Sequence, residues 1–444
     1  MDFPFEWNPY ADQPHNVAPR SERFRHHLRH AGSYFAIAGA NLRRLVPGLR
    51  RYRRYMMEMH RVPVMIGQDA ISCAVSPAGS KDGEALDLLA ETGVGSTLVR
   101  IPSWERGKLA AHEAFVRALR DRGFEVVLAL VQRRADVLQP DSWRSFLEDV
   151  FSRFVPLVST FEIGHAWNRT KWGVWDHREY MRLAEPAFQL APRFGAKLAG
   201  PAVIDFEFHL YPATLPRLPF DKVTSLLYVD RMGAPENKQF GWSATKKLAL
   251  LKAAVDVSAC AGRDIWITEV NWPLAGTGPY SPAAGKPNVT EEEQADYLVR
   301  YYVLLLASGL VERIMWWQLA APGYGLVDNR GGTWRRRPAF HAFRTLRARL
   351  GGSVFEGLGE EAAPIEGASS SEPSVEAGSG AGPRIFRFRK DSRAFAVCWT
   401  PGPPAEHIFK GRLKTVMDRE GREIAGRPQT ITIDRSPKYV DFSE

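Results

Sequence analysis

The chain has 444 residues, of which 45% are hydrophobic, 25% charged and 11% aromatic, and its net charge is +9. That composition supplies an ample core and excludes a disordered chain or a fibre. Three scattered cysteines (Cys73, Cys260, Cys398) without a CxxC pair exclude a disulfide framework and a cysteine zinc site, and fit a reducing compartment.

The opening Met-Asp-Phe-Pro-Phe-Glu lacks a basic run followed by an apolar one, so no secretory signal is expected. No stretch reaches the roughly 18 apolar residues that a membrane-spanning helix needs. Residues 1–62 read as a basic extension. Between Arg20 and Arg61 eleven arginines face only Glu22 and Glu58, so this segment carries the whole net charge. Within it Leu42, Leu45, Val46, Leu49, Tyr52 and Met56 recur at helical spacing, and Pro47 is expected to interrupt the helix. Such a helix suits an anionic membrane surface; the alternative is that its apolar stripe packs on the next domain or on a partner. No nucleic-acid motif accompanies the arginines, so nucleic acid is not expected as a partner. The expected location is the cytoplasm, at the inner membrane if the helix meets lipid.

From 63 to 352, short apolar runs alternate with helical patterns. Strands are predicted at Val64–Ala70, Ser96–Ile101, Glu125–Val131, Thr160–Gly164, Lys197–Val203, Lys222–Tyr228, Asp264–Val270 and Arg313–Gln318. Helices are predicted between them, except for a short Pro-rich stretch around Tyr211–Pro219, and a last helix follows at Ala339–Leu350. The alternation predicts an α/β fold, a (β/α)8 TIM barrel. A doubly wound sheet would usually carry a Gly-rich phosphate loop after its first strand, where this chain reads Gly67-Gln-Asp-Ala-Ile-Ser-Cys73. Residues 353–383 read as a flexible linker or loop, dominated from Gly359 by Ala, Ser, Gly, Glu and Pro. Residues 384–444 alternate or are β-rich, and predict a small β-sandwich-like module that packs on the barrel.

In a barrel, chemistry belongs at the C-terminal ends of the strands. There stand Arg100 to Trp104, Glu162 to Arg169, Tyr228 to Asp230, Glu269 to Trp272 and Trp316-Trp317-Gln318. Trp104, Trp167, Trp172, Trp175, Trp272, Trp316 and Trp317 crowd that rim, where indole faces suit stacking on sugar rings; Trp316 and Trp317, being adjacent, cannot both point inward on a strand. Glu162 lies deeper and reads as half of an ion pair inside the barrel. Arg100, Arg106, Arg133, Arg134, Asn168, Arg169 and Lys171 hint at an anionic ligand such as an acidic or phosphorylated sugar. No metal or organic cofactor is expected, since no His, Asp or Glu cluster has ligand spacing.

These pieces resemble clan A glycoside hydrolases, in particular the xylosidase and iduronidase type of family 39, over about residues 64–350. Ile-Thr-Glu269-Val-Asn-Trp-Pro looks like the seventh-strand nucleophile motif. Arg100 matches the second-strand arginine, Tyr228 the sixth-strand tyrosine that contacts the nucleophile, and Trp317 the eighth-strand tryptophan under the sugar. Arg337-Pro338-Ala339-Phe340 resembles the start of the family's last helix. The resemblance implies a carbohydrate substrate, and the basic helix, if it meets lipid, would bring the cleft to a membrane-bound glycan or glycolipid such as an envelope polysaccharide or lipopolysaccharide precursor. It implies Glu269 as nucleophile and Arg100, Tyr228 and Trp317 around the substrate, to which their place at the strand ends adds Trp104, Trp167, Asn168, Arg169, Asp230 and Trp272 as substrate-binding candidates.

One position departs from the family. Its fourth strand carries Glu-x-x-Asn-Glu, ending in the general acid/base, whereas Glu162-Ile-Gly-His165-Ala166 puts alanine there. A retaining glycosidase needs a second carboxyl group about 5–5.5 Å from the nucleophile, and losing the acid costs about 10²–10⁴-fold on a poor leaving group. Either another group donates the proton, with His165 the first candidate and Asp205, Glu207, His209 and Asp230 behind it, or the leaving group needs little help. The alternative is a barrel that binds saccharide or a partner without hydrolysis.

Overall fold

A computed structural model describes residues 6–15, 19–229, 233–283, 288–359, 382–426 and 430–443. Eight parallel strands close into a barrel in chain order: Ile71–Ala74, Ser96–Pro102, Glu125–Val131, Thr160–Ile163, Lys197–Ile204, Lys222–Leu226, Ile265–Val270 and Arg313–Trp316. Parallel strands covered on both faces must be apolar on both. In the third strand Val127 and Ala129 point inward to meet Leu98, Trp266 and Met315, while Val126, Leu128 and Leu130 join the core under the helices.

The first barrel strand is Ile71–Ala74, not the run from Val64 to Ala70. Val64–Met65 instead pairs antiparallel with Val354–Phe355, at the edge of a second sheet. That sheet has seven strands, and Val354–Leu358 is one of them, so it begins inside the stretch read as a linker. Residues 360–381 of that stretch lie outside the described residues.

Alternation along Arg384–Lys390 explains how the C-terminal module sits. Ile385 turns to Ile431, Ile433 and Phe409, around the two-stranded sheet Ala405–His407/Ile431–Ile433. Phe386 and Phe388 turn to the barrel's own core. The module is therefore docked, as its small size required. Arg300, on the helix Glu291–Leu306, pairs with Glu236 in a barrel loop, and Trp399 Nε1 donates to Glu236 at 2.7 Å. Burial pushes the Glu236 carboxyl up, but the charge and hydrogen bonds of Arg300 more than reverse this and hold it below its usual range. Breaking such a pair strands a buried guanidinium, so Glu236→Ala is expected to cost about 3–5 kcal/mol in urea unfolding. The depressed value means that the pair stabilises fully above the unfolded carboxyl's pKa of about 4.3 and loses its contribution as pH falls through the folded value. A cost below about 1 kcal/mol at neutral pH would remove this junction from the account.

The basic extension forms two helices, Arg20–Arg29 and Ala31–Glu58. Pro47 does not interrupt the second: Pro47 and Arg43, whose carbonyl it leaves without its helical partner, lie on the exposed side, where solvent access lowers the cost of the missing bond. The barrel helix after the fifth strand is reduced to one turn, Tyr211–Thr214, and Ala31–Glu58 lies across that turn and the helix Ala244–Asp256. Asn41 donates to the His209 carbonyl at 2.8 Å, Arg44 to the Val257 carbonyl at 3.1 Å, and Tyr55 to Asp256. The first helix is tied down by His26, whose Nε2 stands 2.6 Å from Asp176, the residue that also caps the helix His177–Phe194. No described helix is long and apolar enough to cross a membrane.

Candidate active site

The site lies at the C-terminal mouth of the barrel and is built around one guanidinium. Arg100 projects inward from the second strand, on the same face as Leu98, with its guanidinium carbon 3.3 Å above the Trp317 ring centre. Its Nη2 donates to Glu269, and Tyr228 Oη donates to the other oxygen of the same carboxylate. Two charge-assisted bonds leave that carboxylate held in one orientation.

Strict alternation would turn Glu269 out of the barrel, because Trp266 points in and Ile267 points out. A register shift between Ile267 and Val270 adds a residue to the seventh strand and re-aims the carboxylate inward. His165 is turned inward by a comparable device. The fourth strand ends at Ile163, and Gly164 takes φ +81°, where any Cβ would stand 3.1 Å from the Tyr180 ring. Gln132 then clamps the His165 backbone, accepting from its N–H at 2.8 Å and donating to its carbonyl at 2.9 Å.

His165 Nε2 is 3.5 Å from Glu269 and 3.1 Å from Arg100 Nη2. Burial, then the charges of Arg100 and Lys171, hold its imidazole well below the usual pKa, so the ring is neutral at pH 7. Its edge lies against Trp172, ring centres 4.4 Å apart. Glu162, deeper in the barrel, makes no ion pair among the described residues; burial pushes it up to about 7, with the Thr268 and Thr224 hydroxyls opposing. The expected ion pair is thus replaced by a buried carboxyl group that titrates near neutral pH.

Of the residues expected to bind substrate, Arg100, Arg169, Tyr228 and Trp317 line a cavity of about 140 Å³ with His165 and Glu269. Trp104 stands at the rim, its ring 5.0 Å from Trp7. Trp167 and Trp272 face away: Trp167 stacks on Tyr180 at 4.4 Å, and Trp272 packs near Trp316 and Tyr301 in the core under the helices. Asn168 braces the loop, its amide bonded to both the N–H and the carbonyl of Ile204. Asp230 lies outside the described residues. Most of the arginines that hinted at an anionic ligand are already neutralised, Arg106 by Asp149, Arg134 by Glu179 and Arg169 by Asp205 and Glu207.

The cavity also has lining residues that sequence reasoning passed over: Ala11, Asp12 and Gln13 from the N-terminus, with Asn271, Pro282 and Tyr324. Residues 6–15 carry a small antiparallel hairpin, Trp7–Asn8 paired with Gln13–Pro14, laid over the barrel mouth. Asp12 reaches down from it to Arg100 Nη1 at 3.3 Å. The motif Ala321-Pro-Gly-Tyr324-Gly was a signal for Tyr324, whereas nothing periodic marks the hairpin.

No family model and no curated protein sequence matches the chain. Among solved structures it resembles a family 39 glycoside hydrolase from the gut symbiont Bacteroides cellulosilyticus, with TM-score 0.58 and 13% identity over 85% of this chain and 81% of that one. It also resembles AbfB, a family 51 α-L-arabinofuranosidase from Bifidobacterium longum, with TM-score 0.53 and 14% identity over 86% and 97% of the two chains. A family 51 arabinofuranosidase from Xanthomonas axonopodis gives TM-score 0.53 at 9% identity over 86% and 98%. At these identities the likeness concerns the fold: this chain has the barrel architecture of glycoside hydrolases.

Proposed function

We propose that the protein is a glycoside hydrolase acting on a glycan or glycolipid, with Glu269 attacking the anomeric carbon. The observation that carries this reading is the pair of hydrogen bonds from Arg100 and Tyr228 onto Glu269, at the mouth of a barrel and beside Trp317. Together they hold a carboxylate in one orientation next to an aromatic residue, which is what a glycosidic nucleophile requires. Trp172 and Trp317 line the same cavity, Trp317 with the Arg100 guanidinium over its ring and Trp172 beside His165.

His165 fits a positioning role in this scheme. A neutral imidazole offers one lone pair, and Arg100 occupies it, so the ring steadies the guanidinium. A panel of 2,4-dinitrophenyl hexosides and pentosides tests the proposal. Turnover of at least one is expected; saccharide binding in calorimetry without turnover of any would favour the inert barrel.

The basic helix fits an anionic membrane surface. Its inner side meets the barrel, while Phe35 and Val46 are exposed and Leu42, Leu45 and Leu49 lie exposed along a groove beside Leu250 and Ala253, among Arg43, Arg50, Arg53 and Arg54. Phe35 and Leu42 are 78% and 74% exposed, as expected of groups awaiting an apolar environment. Each basic residue near such a surface contributes about 1 kcal/mol. Replacing the four arginines by glutamine is therefore expected to weaken binding to phosphatidylserine vesicles by roughly 10²–10³-fold at low salt. Equal sedimentation of parent and variant with those vesicles would reject the membrane reading.

A further inference from the structure

We infer that Asp12, carried on the N-terminal hairpin, exchanges the proton with the glycosidic oxygen in the reaction proposed for Glu269, and so rests on that reading. The fourth strand offers no donor where the family's acid would stand, since Ala166 is a buried methyl group. The hairpin brings a carboxyl group to the same guanidinium from the other side.

The placement of Asp12 is built. Trp7 packs against Trp104 and Trp172, with ring centres 5.0 and 5.9 Å away, and Tyr10 meets the edge of Tyr280 at 5.2 Å. Gln13 accepts from Lys171 and donates to the Pro282 carbonyl at 3.3 Å. Contacts from three barrel loops thus hold ten residues that could not fold alone. Asp12 itself takes φ +50°, in the left-handed region that L side chains seldom enter. This turn is held at a cost in strain, and its effect is to aim one carboxyl group into the cavity.

Arg100 links the two acids. Glu269 bonds Nη2 and Asp12 bonds Nη1, so a single guanidinium with a hydrogen bond on each side spans the gap between the carboxyl groups. That is the scale of the carboxyl pairs that flank a scissile glycosidic bond, about 5–9.5 Å. Burial raises Asp12 to about 6; Arg100 opposes this, the Glu269 charge adds to it, and hydrogen bonds from Trp317 and Tyr324 oppose it. A carboxyl group poised there is protonated often enough to give a proton and ionised often enough to take one back.

The steps balance with these two acids and water. Glu269 forms a bond to the anomeric carbon as the bond to the leaving oxygen breaks, and the Asp12 proton goes to that oxygen, releasing an alcohol. Water then attacks the anomeric carbon of the glycosyl ester and gives its proton to Asp12, and Glu269 leaves as a carboxylate.

The test compares leaving groups in the full chain. For Asp12→Asn, kcat/KM on phenyl and methyl glycosides is expected to fall about 10²–10⁴-fold, while kcat/KM on dinitrophenyl glycosides changes less than about tenfold. Azide should restore turnover by forming the glycosyl azide, and the limb of the pH profile near 6 should vanish. Trp7→Ala, which frees the hairpin without touching Asp12, should show the same selectivity. Equal losses on both substrate classes, or faster turnover because the hairpin merely blocks the mouth, would overturn the assignment. If Asp12→Asn gives either of those results while a fluoro-glycoside still labels Glu269, Asp12 alone falls. A parent chain that neither turns over nor becomes labelled removes the glycosidase reading itself.

Discussion

Glu269→Gln is expected to lower turnover of dinitrophenyl glycosides by roughly 10⁴-fold or more. Glutamine keeps the size of the side chain; its carbonyl oxygen can accept from Arg100 while its NH2 donates to the Tyr228 oxygen, so the fold and the cavity persist. What it loses is the negative charge that must attack, and no described carboxylate other than Asp12 lines the cavity to replace it. The loss should be similar across leaving groups, in contrast with the selective loss expected at Asp12. Steady-state assays with the panel used for the parent chain measure both, and undiminished turnover would remove Glu269 from the chemistry.

The second large effect belongs to Arg100. Its side chain is 9% exposed and holds Glu269, Asp12 and His165 together while covering Trp317. Arg100→Met keeps an apolar chain over the indole but leaves a buried carboxylate without its counter-ion. Breaking a buried pair in this way costs about 3–5 kcal/mol, because the abandoned charge stays desolvated. The urea midpoint should fall accordingly, and turnover should be lost with it. The double variant Arg100→Met/Glu269→Gln should recover part of the stability, since both charges are then gone. A single variant as stable as the parent would mean that water already reaches the pair.

How far these features could be read beforehand depended on whether they were local. Seven barrel strands have the length and apolar content of buried parallel strands, and each is found where its own residues placed it. The first was displaced because Val64-Met65 and Ile71–Ala74 are equally apolar, and only distant pairing partners assign them to different sheets. Arg100, Tyr228, Glu269 and Trp317 converge on one another, and their order along the strands was visible. The facing of Trp167 and Trp272 was not, since both follow strand ends where alternation no longer decides which side a ring takes. Glu269 itself points inward through a bulge, which period-two reasoning cannot anticipate. Asp12 left no trace because its hairpin has no periodicity and exists through contacts with Trp104, Trp172 and Tyr280, 92 or more residues away along the chain.

The central claim is that Glu269 becomes covalently bound to a sugar. Incubating the protein with 2,4-dinitrophenyl 2-deoxy-2-fluoroglycosides of the sugars it turns over, followed by peptide mass analysis, tests this most directly. The fluorine slows hydrolysis of the intermediate, and the leaving group needs no acid. One fluoroglycosyl unit is expected on the peptide that contains Glu269 and none on the Glu269→Gln chain. An adduct on a different residue, or turnover of the parent sugars with no adduct at all, would contradict it.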